Sequence, residues 1–141
     1  MAIRVLVIED NMDLLETVSC SLRAVGMEVT TARSGREGLE RARQEPPEII
    51  LTDLMLPQVN GYEICTMLKQ DTRYQRIPVI IWSATKILGK DAELAKDCGA
   101  DAFVLKTISP KELVDKIHEV LATAGGTSPP SNSSQNPVGS G

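Results

Sequence analysis

The most constraining feature of the chain is an apolar run near its middle that ends on a single carboxylate. Ile49, Ile50 and Leu51 are consecutive, and they lead through Thr52 to Asp53. A continuous apolar run, unlike an alternating one, is typical of a strand covered on both faces by helices in a parallel sheet. Such sheets bind ligands beyond the carboxyl ends of their strands. Asp53 is therefore the first candidate for a functional residue.

Four further strand-like runs alternate with segments of helical periodicity. The predicted strands cover 3–8, 27–32, 48–53, 78–83 and 102–105, and the predicted helices cover 12–25, 34–44, 60–68, 88–98 and 109–121. The short run over 27–32 alternates apolar and polar residues, which indicates an edge strand. Strict alternation of strand and helix requires right-handed crossovers and helices on both faces of a parallel sheet. The predicted architecture is a three-layer α/β sandwich.

The helical segments also predict inward residues and caps. Two Ser-x-x-Glu sequences, beginning at Ser34 and Ser109, have the spacing of a capping box, and Asn60 is expected to cap the third helix. The helix over 88–98 has a thin apolar stripe, and we expect it to be the most mobile. The residues expected to face the core include Leu15, Val18, Leu22 and Val25 in the first helix and Ile64, Met67 and Leu68 in the third.

Composition argues against several classes of protein. The chain has 141 residues, a net charge of −4 and a pI near 5.0, which do not suit a surface that binds nucleic acid or an anionic membrane. No apolar run approaches the roughly 18 residues of a membrane span, and no signal peptide is recognisable, so we expect a cytoplasmic protein. Cys20, Cys65 and Cys98 lack paired spacing and are expected to be buried, reduced thiols.

The composition changes sharply near the C-terminal end of the chain. From about Thr123 onward it is almost entirely Gly, Ser, Thr, Pro, Asn and Gln, which is too polar to offset the entropy lost on ordering. We therefore expect one domain over residues 1–122 and a flexible tail or linker over 123–141.

Polar side chains close four of the predicted strands. Glu9 and Asp10 follow the first strand, and Asp53, Ser83 and Lys106 follow the third, fourth and fifth. The carboxyl ends of parallel strands share one edge of a sheet, so these side chains should line one cleft. Two like charges about 4 Å apart repel by roughly 4 kcal/mol at an effective dielectric near 20. Three clustered carboxylates therefore favour a bound divalent cation, and Mg²⁺ prefers such oxygen ligands.

This predicted cleft suits phosphoryl transfer. Asp53 would attack as the covalent acceptor, Lys106 and the metal would neutralise charge on the transferring group, and Ser83 would donate a hydrogen bond to it. Neither G-x-x-x-x-G-K-[ST] nor G-x-G-x-x-G occurs in the chain, so no nucleotide site is indicated. The phosphoryl group must then arrive on a partner protein or a small donor.

Taken together, these motifs resemble the receiver domain of bacterial two-component response regulators. The resemblance covers about residues 1–122, and it rests on Glu9-Asp10, Asp53-Leu54-Met55-Leu56-Pro57 with Gly61, Ser83-Ala84, and Gly99-Ala100-Asp101 before Lys106. It implies a flavodoxin-like (βα)5 fold with a sheet of order 2-1-3-4-5. It also implies that a phosphohistidine on a sensor histidine kinase or a histidine phosphotransfer protein phosphorylates Asp53.

The same resemblance implies a role for each site residue. Mg²⁺ would be held by Glu9, Asp10, Asp53 and the backbone carbonyl of Met55, while Ser83 and Lys106 would contact the phosphoryl group and Phe103 would be the switch aromatic. The face formed by the last two helices and the fifth strand would change its affinity for a downstream output protein or domain. Family members also form homodimers through this face, although no exposed stripe in this sequence supports pairing.

One departure from the family leaves two other functions open. Thr107 follows Lys106 where the family usually has proline in a cis peptide, and we expect a trans bond here because a cis bond without proline is costly. A rerouted loop would favour a pseudo-receiver that signals by binding alone. An aspartate-nucleophile phosphohydrolase would carry a second aspartate at Met55, so we expect the chain to catalyse only its own phosphorylation and dephosphorylation, with no turnover of outside substrates.

Overall fold

A computed structural model describes residues 2–84, 93 and 97–125, and within them five strands form one parallel sheet. The strand order is β2-β1-β3-β4-β5, which confirms the predicted fold. Most of the predicted helix over 88–98 lies outside the described residues. The strands are β1 (Arg4–Ile8), β2 (Glu28–Ala32), β3 (Ile49–Asp53), β4 (Val79–Ser83) and β5 (Ala102–Leu105), and the helices are α1 (Met12–Ala24), α2 (Gly35–Gln44), α3 (Gly61–Lys69) and the C-terminal helix (Pro110–Gly125).

The sheet separates two apolar layers. Leu6 and Ile8 of β1 pack in the layer that contains buried residues of α2 and α3, whereas Val5 and Val7 pack in the layer of α1 and the C-terminal helix. Every residue of β3 and β4 is buried, as expected for central strands covered on both faces. No helix in the described ranges is long and apolar enough to span a bilayer.

Three sequence-based assignments of buried residues are wrong. Val25 is 56% exposed because α1 ends at Ala24, so its apolar stripe goes no further. Met67 is 44% exposed because Cys65 occupies the core position beside Ile64 and Leu68. Cys20 is exposed because Val18, Ser19 and Leu22 form the buried face of α1, whereas Cys65 and Cys98 are buried as expected.

The helix caps follow the predicted motifs with one exception. Both capping-box hydrogen bonds form between Ser109 and Glu112, and the same pair forms between Asn60 and Glu63. At Ser34 the hydroxyl accepts the Glu37 N–H, but the Glu37 carboxylate accepts from the N–H of Arg33 instead of closing the box. The C-terminal helix continues to Gly125, three residues beyond the predicted domain boundary, and residues 126–141 are not among those described.

Lys69 joins α3 to the strands that carry the candidate site, and sequence reasoning did not single it out. Its Nζ donates to the carbonyls of Gln75 at 3.2 Å and Ile77 at 2.9 Å and lies 3.2 Å from Asp101 Oδ2. The same Asp101 oxygen accepts the backbone N–H of Val79, at the start of β4. One ammonium therefore ties the end of α3 to the entrances of β4 and β5.

Replacing Lys69 with methionine should lower the free energy of unfolding by about 2 kcal/mol, because two carbonyls and a carboxylate lose a charged donor. The measurement is urea unfolding followed by circular dichroism. Lys111→Met is the matched control, since Lys111 is 89% exposed and its surface ion pair should contribute less than about 0.5 kcal/mol. Equal losses in the two variants would contradict the role assigned to Lys69.

Candidate functional site

Sheet register brings Glu9 and Asp53 to the same edge. Ile8 of β1 pairs with Thr52 of β3, so the residues that follow them lie side by side. Beyond β3 the chain is held by hydrogen bonds from the N–H of Leu54 to the Trp82 carbonyl and from the N–H of Gly61 to the Leu54 carbonyl. Asp53 is only 4% exposed. Its carboxylate is therefore held at the sheet edge by a short, fixed loop.

Three carboxylates converge at this edge. Oxygen atoms of Glu9, Asp10 and Asp53 all lie within 4.8 Å of one another. Glu9 Oε2 accepts the N–H of Asn11 at 3.1 Å, and Asp53 Oδ1 accepts the N–H of Met55 at 3.3 Å. Burial raises the pKa of Glu9, and the neighbouring charge of Asp53 adds to the effect. Glu9 is therefore harder to ionise than an exposed glutamate unless a cation lies beside it.

Lys106 supplies a cation to this cluster. Its Nζ lies 2.8 Å from Glu9 Oε1 and 3.2 Å from Asp53 Oδ2, and its backbone N–H donates to the Ser83 carbonyl at 2.8 Å. Partial burial opposes the ammonium charge, but the contacts with both carboxylates outweigh it, so the pKa of Lys106 lies above its ordinary value. Lys106 is therefore charged at neutral pH.

The residues of this cluster fit a magnesium ion. One ammonium faces three carboxylates, which leaves an excess of negative charge. Glu9 Oε1 is buried and lies 2.8 Å from Lys106 Nζ, and because a carboxylate oxygen has two lone pairs, one stays available for a metal ion. Asp10 and Met55 are exposed, so the cluster opens to solvent on one side. An open set of hard oxygen donors is what Mg²⁺ requires.

The remaining predicted residues lie along β4 and β5. Ser83 is buried at the end of β4, level with Leu105, whereas Phe103 is 36% exposed on the edge strand β5 and pairs with Ile81. The strand register thus places Phe103 level with Thr52, one residue before Asp53. The Lys106–Thr107 peptide is trans, as expected, and the lysine still reaches Asp53.

Trp82 lies next to the site, at a position where the sequence favours a core residue over a catalytic one. It pairs with Asp53 in the sheet register, and Lys106 Nζ lies 5.5 Å from the centroid of its ring. The signal available in the sequence was its position directly before Ser83, at the end of a buried strand. Position alone did not show that its ring faces the ammonium.

A comparison with known protein families identifies the family of this chain. The family model described as "Response regulator receiver domain" matches residues 5–118, which is most of the chain. The chain belongs to the response regulator receiver family. Among curated relatives of this receiver domain, the DNA-binding response regulator MtrA of Mycolicibacterium smegmatis is 34% identical over 118 residues, covering 84% of this chain and 50% of the relative. The probable transcriptional regulator ycf27 of Porphyra purpurea is 34% identical over 123 residues, covering 86% and 48%.

Solved structures give the same assignment for the receiver domain. A CheY-like receiver domain protein from Methanospirillum hungatei aligns with a TM-score of 0.84 at 25% identity, covering 91% of this chain and 100% of that one. Chemotaxis response regulator CheY4 of Vibrio cholerae aligns with a TM-score of 0.79 at 25% identity, covering 85% and 99%. The chain spans about half the length of the curated relatives it matches, whereas these two structures are covered almost completely.

Proposed function

We propose that this receiver domain is a phosphorylation-dependent signalling switch in which Asp53 accepts a phosphoryl group from a phosphohistidine partner. The observation that carries the proposal is the Lys106 ammonium, 3.2 Å from Asp53 Oδ2 and 2.8 Å from Glu9 Oε1. A phosphoryl group bonded to Asp53 would lie within reach of this cation. Electrostatic stabilisation of transferring phosphoryl groups depends on cations placed in this way.

The transfer step follows from the position of Asp53. A carboxylate oxygen of Asp53 forms a bond to phosphorus while the phosphorus–nitrogen bond of the partner's phosphohistidine breaks, and the imidazole nitrogen keeps the bonding electrons. Lys106 holds its positive charge beside the oxygen atoms that become more negative during this exchange. Ser83, buried at the end of β4, is proposed to donate a hydrogen bond to the transferred group. The product is an aspartyl phosphate on Asp53.

Magnesium is proposed as the cofactor of this site. The carboxylates of Glu9, Asp10 and Asp53, together with the backbone carbonyl of Met55, would hold it. When bound, it would supply charge neutralisation for the phosphoryl oxygens. The support for this assignment is the excess negative charge and the available lone pair of Glu9 described above.

The output of the switch is proposed to be a change in affinity for partner proteins. Phosphorylation adds roughly 1.5 to 2 negative charges at Asp53. We propose that Ser83 moves toward the new group, that Phe103 turns inward, and that the face of β5, the C-terminal helix and the predicted helix over 88–98 is remodelled. The domain would receive its phosphoryl group from a sensor histidine kinase or a histidine phosphotransfer protein, in the cytoplasm. It would then bind a downstream output protein or domain. Homodimerisation through the same face is also part of the proposal.

Added Mg²⁺ should stabilise the folded protein, because it binds the carboxylate cluster that only folding assembles. At a concentration about 100 times the dissociation constant, the free energy of unfolding should rise by about 2.7 kcal/mol. Thermal unfolding with and without Mg²⁺ at neutral pH measures the effect. Asp10→Asn should remove most of it, since Asp10 is an exposed member of the cluster, whereas Asp13→Asn, also exposed but in the first turn of α1, should retain it. An identical Mg²⁺ response in both variants would exclude Asp10 as a ligand.

The direct test of the switch is chemical phosphorylation. The protein is incubated with Mg²⁺ and acetyl phosphate, and intact mass spectrometry should detect one added phosphate that disappears when EDTA replaces Mg²⁺. A pull-down with and without beryllofluoride, a phosphoryl mimic, should then retain different partners. If no adduct forms and the same partners are retained in both arms, the domain is a pseudo-receiver that signals by binding alone.

A further inference from the structure

The indole ring of Trp82 forms one wall of the space that holds the Lys106 ammonium. Lys106 Nζ lies 5.5 Å from the ring centroid, which is within the range of a cation–π interaction. The tryptophan is 2% exposed and the lysine side chain is 19% exposed, so little water screens the contact. Shielding from water strengthens the attraction between an ammonium and the negative face of a ring.

We propose that Trp82 is a positioning residue for phosphoryl transfer, because its ring face holds the Lys106 ammonium between Glu9 and Asp53. The inference rests on the proposed function of Asp53 and names a residue through which that function is supported. A lysine ammonium is a point charge on a flexible four-carbon stem, so its position depends on what surrounds it. The two carboxylates lie 2.8 and 3.2 Å from the ammonium, and the ring centroid lies 5.5 Å from it, so both kinds of group attract the charge.

The indole is not explained by packing or by its N–H group alone. Trp82 Nε1 is buried and has no hydrogen-bond partner in the described part of the chain, which carries an energetic penalty. The neighbouring inward position on the same face of β4 is Ile80, which fills its place in the same apolar layer without any polar atom. An aliphatic residue at position 82 would avoid the buried N–H. The feature of Trp82 that an aliphatic residue lacks is the negative face of its ring.

Trp82 is also the strand neighbour of Asp53, the proposed nucleophile. It pairs with Asp53 in the sheet, and its carbonyl accepts the N–H of Leu54. A side-chain substitution at Trp82 could therefore disturb Asp53 through packing as well as Lys106 through charge. The test must separate these two routes.

Fluorination of the indole separates them, because it weakens the negative face of the ring with little change in its size. Trp82 is the chain's only tryptophan, so growth on a fluorinated tryptophan labels this position alone. Intact mass spectrometry gives the initial rate of phosphorylation by acetyl phosphate for protein with unlabelled, monofluorinated and trifluorinated tryptophan. The rate should fall progressively, by about two- to ten-fold across the series, while the thermal midpoint changes little. In a Lys106→Met background the series should have no effect on any residual rate.

A second measurement examines the contact without metal or phosphodonor. In protein labelled with 5-fluorotryptophan, Lys106→Met should shift the fluorine resonance, and Lys111→Met, which removes an exposed lysine, should leave it in place. Equal rates across the fluorinated series, or spectra unaffected by Lys106→Met, would overturn the role of Trp82. Absence of any adduct from unlabelled protein would instead overturn the phosphoacceptor function of Asp53, and the role of Trp82 with it.

Discussion

Replacing Asp53 with asparagine is expected to abolish phosphorylation by acetyl phosphate, with a loss on the order of a thousand-fold or more. Asparagine has nearly the same shape as aspartate but lacks the anionic oxygen that forms the bond to phosphorus. The residue ends strand β3, where backbone hydrogen bonds hold the chain, so the substitution should leave the fold intact. Intact mass after incubation with Mg²⁺ measures the adduct, and circular dichroism checks folding.

The control for this variant is Asp115→Asn, which removes an exposed carboxylate from the C-terminal helix. It should form the same adduct as the unaltered protein. An Asp53→Asn protein that still gains one phosphate at the normal rate would show that another residue is the acceptor. Glu9 and Asp10 are the nearest alternatives, because their oxygens lie within 4.8 Å of those of Asp53.

Gly61→Ala should disturb the backbone directly at Asp53. A Cβ atom at this position would lie 2.7 Å from the Asp53 carbonyl oxygen and 3.0 Å from Leu54 Cα. Both are backbone atoms at the C-terminal end of β3, so neither can rotate away. We expect the free energy of unfolding to fall by about 2–3 kcal/mol, because the steric cost exceeds the gain from the higher helix propensity of alanine. Urea unfolding measures the change. The same displacement should slow phosphorylation of Asp53.

Gly26→Ala provides a contrasting control. Gly26 has a positive φ of 89°, but a Cβ atom there would meet nothing within 4 Å. Its cost should be about 1–2 kcal/mol from backbone strain alone, and the rate of phosphorylation should be unchanged because the residue is remote from β3. Gly61→Ala could instead lower the free energy of unfolding no more than Gly26→Ala does and be phosphorylated at the normal rate. That result would show that the close contact between Gly61 and the backbone at Asp53 does not matter for function.

Most of the fold was predictable because the signals were local and repeated. Continuous apolar runs predicted β1, β3 and β4, and the alternation of strand and helix predicted a parallel sheet covered on both faces, which the structure confirms. The capping box at Ser109 also formed as predicted. These features depend on neighbours a few residues apart, which the sequence displays directly.

The errors arose where a local pattern had more than one solution. Met67 matched the helical stripe, but Cys65 took the core position instead, since the stripe alone does not decide which residue faces the sheet. The Glu37 carboxylate found the N–H of Arg33 one residue away from the expected donor. Lys69 was missed because its acceptors, including Asp101, are distant in sequence or belong to the backbone.

By itself, the sequence determined that carboxylates, a hydroxyl and an ammonium follow successive strands and meet at one edge of a parallel sheet. It also determined the family, since the motifs at those strand ends match it. Only the tertiary structure decided that Lys106 lies between Glu9 and Asp53, against the ring of Trp82. The reason is physical: strand order brings residues to the same edge, but distances of a few ångströms depend on register, loop path and rotamer. Register, loop path and rotamer depend in turn on packing across the whole sheet.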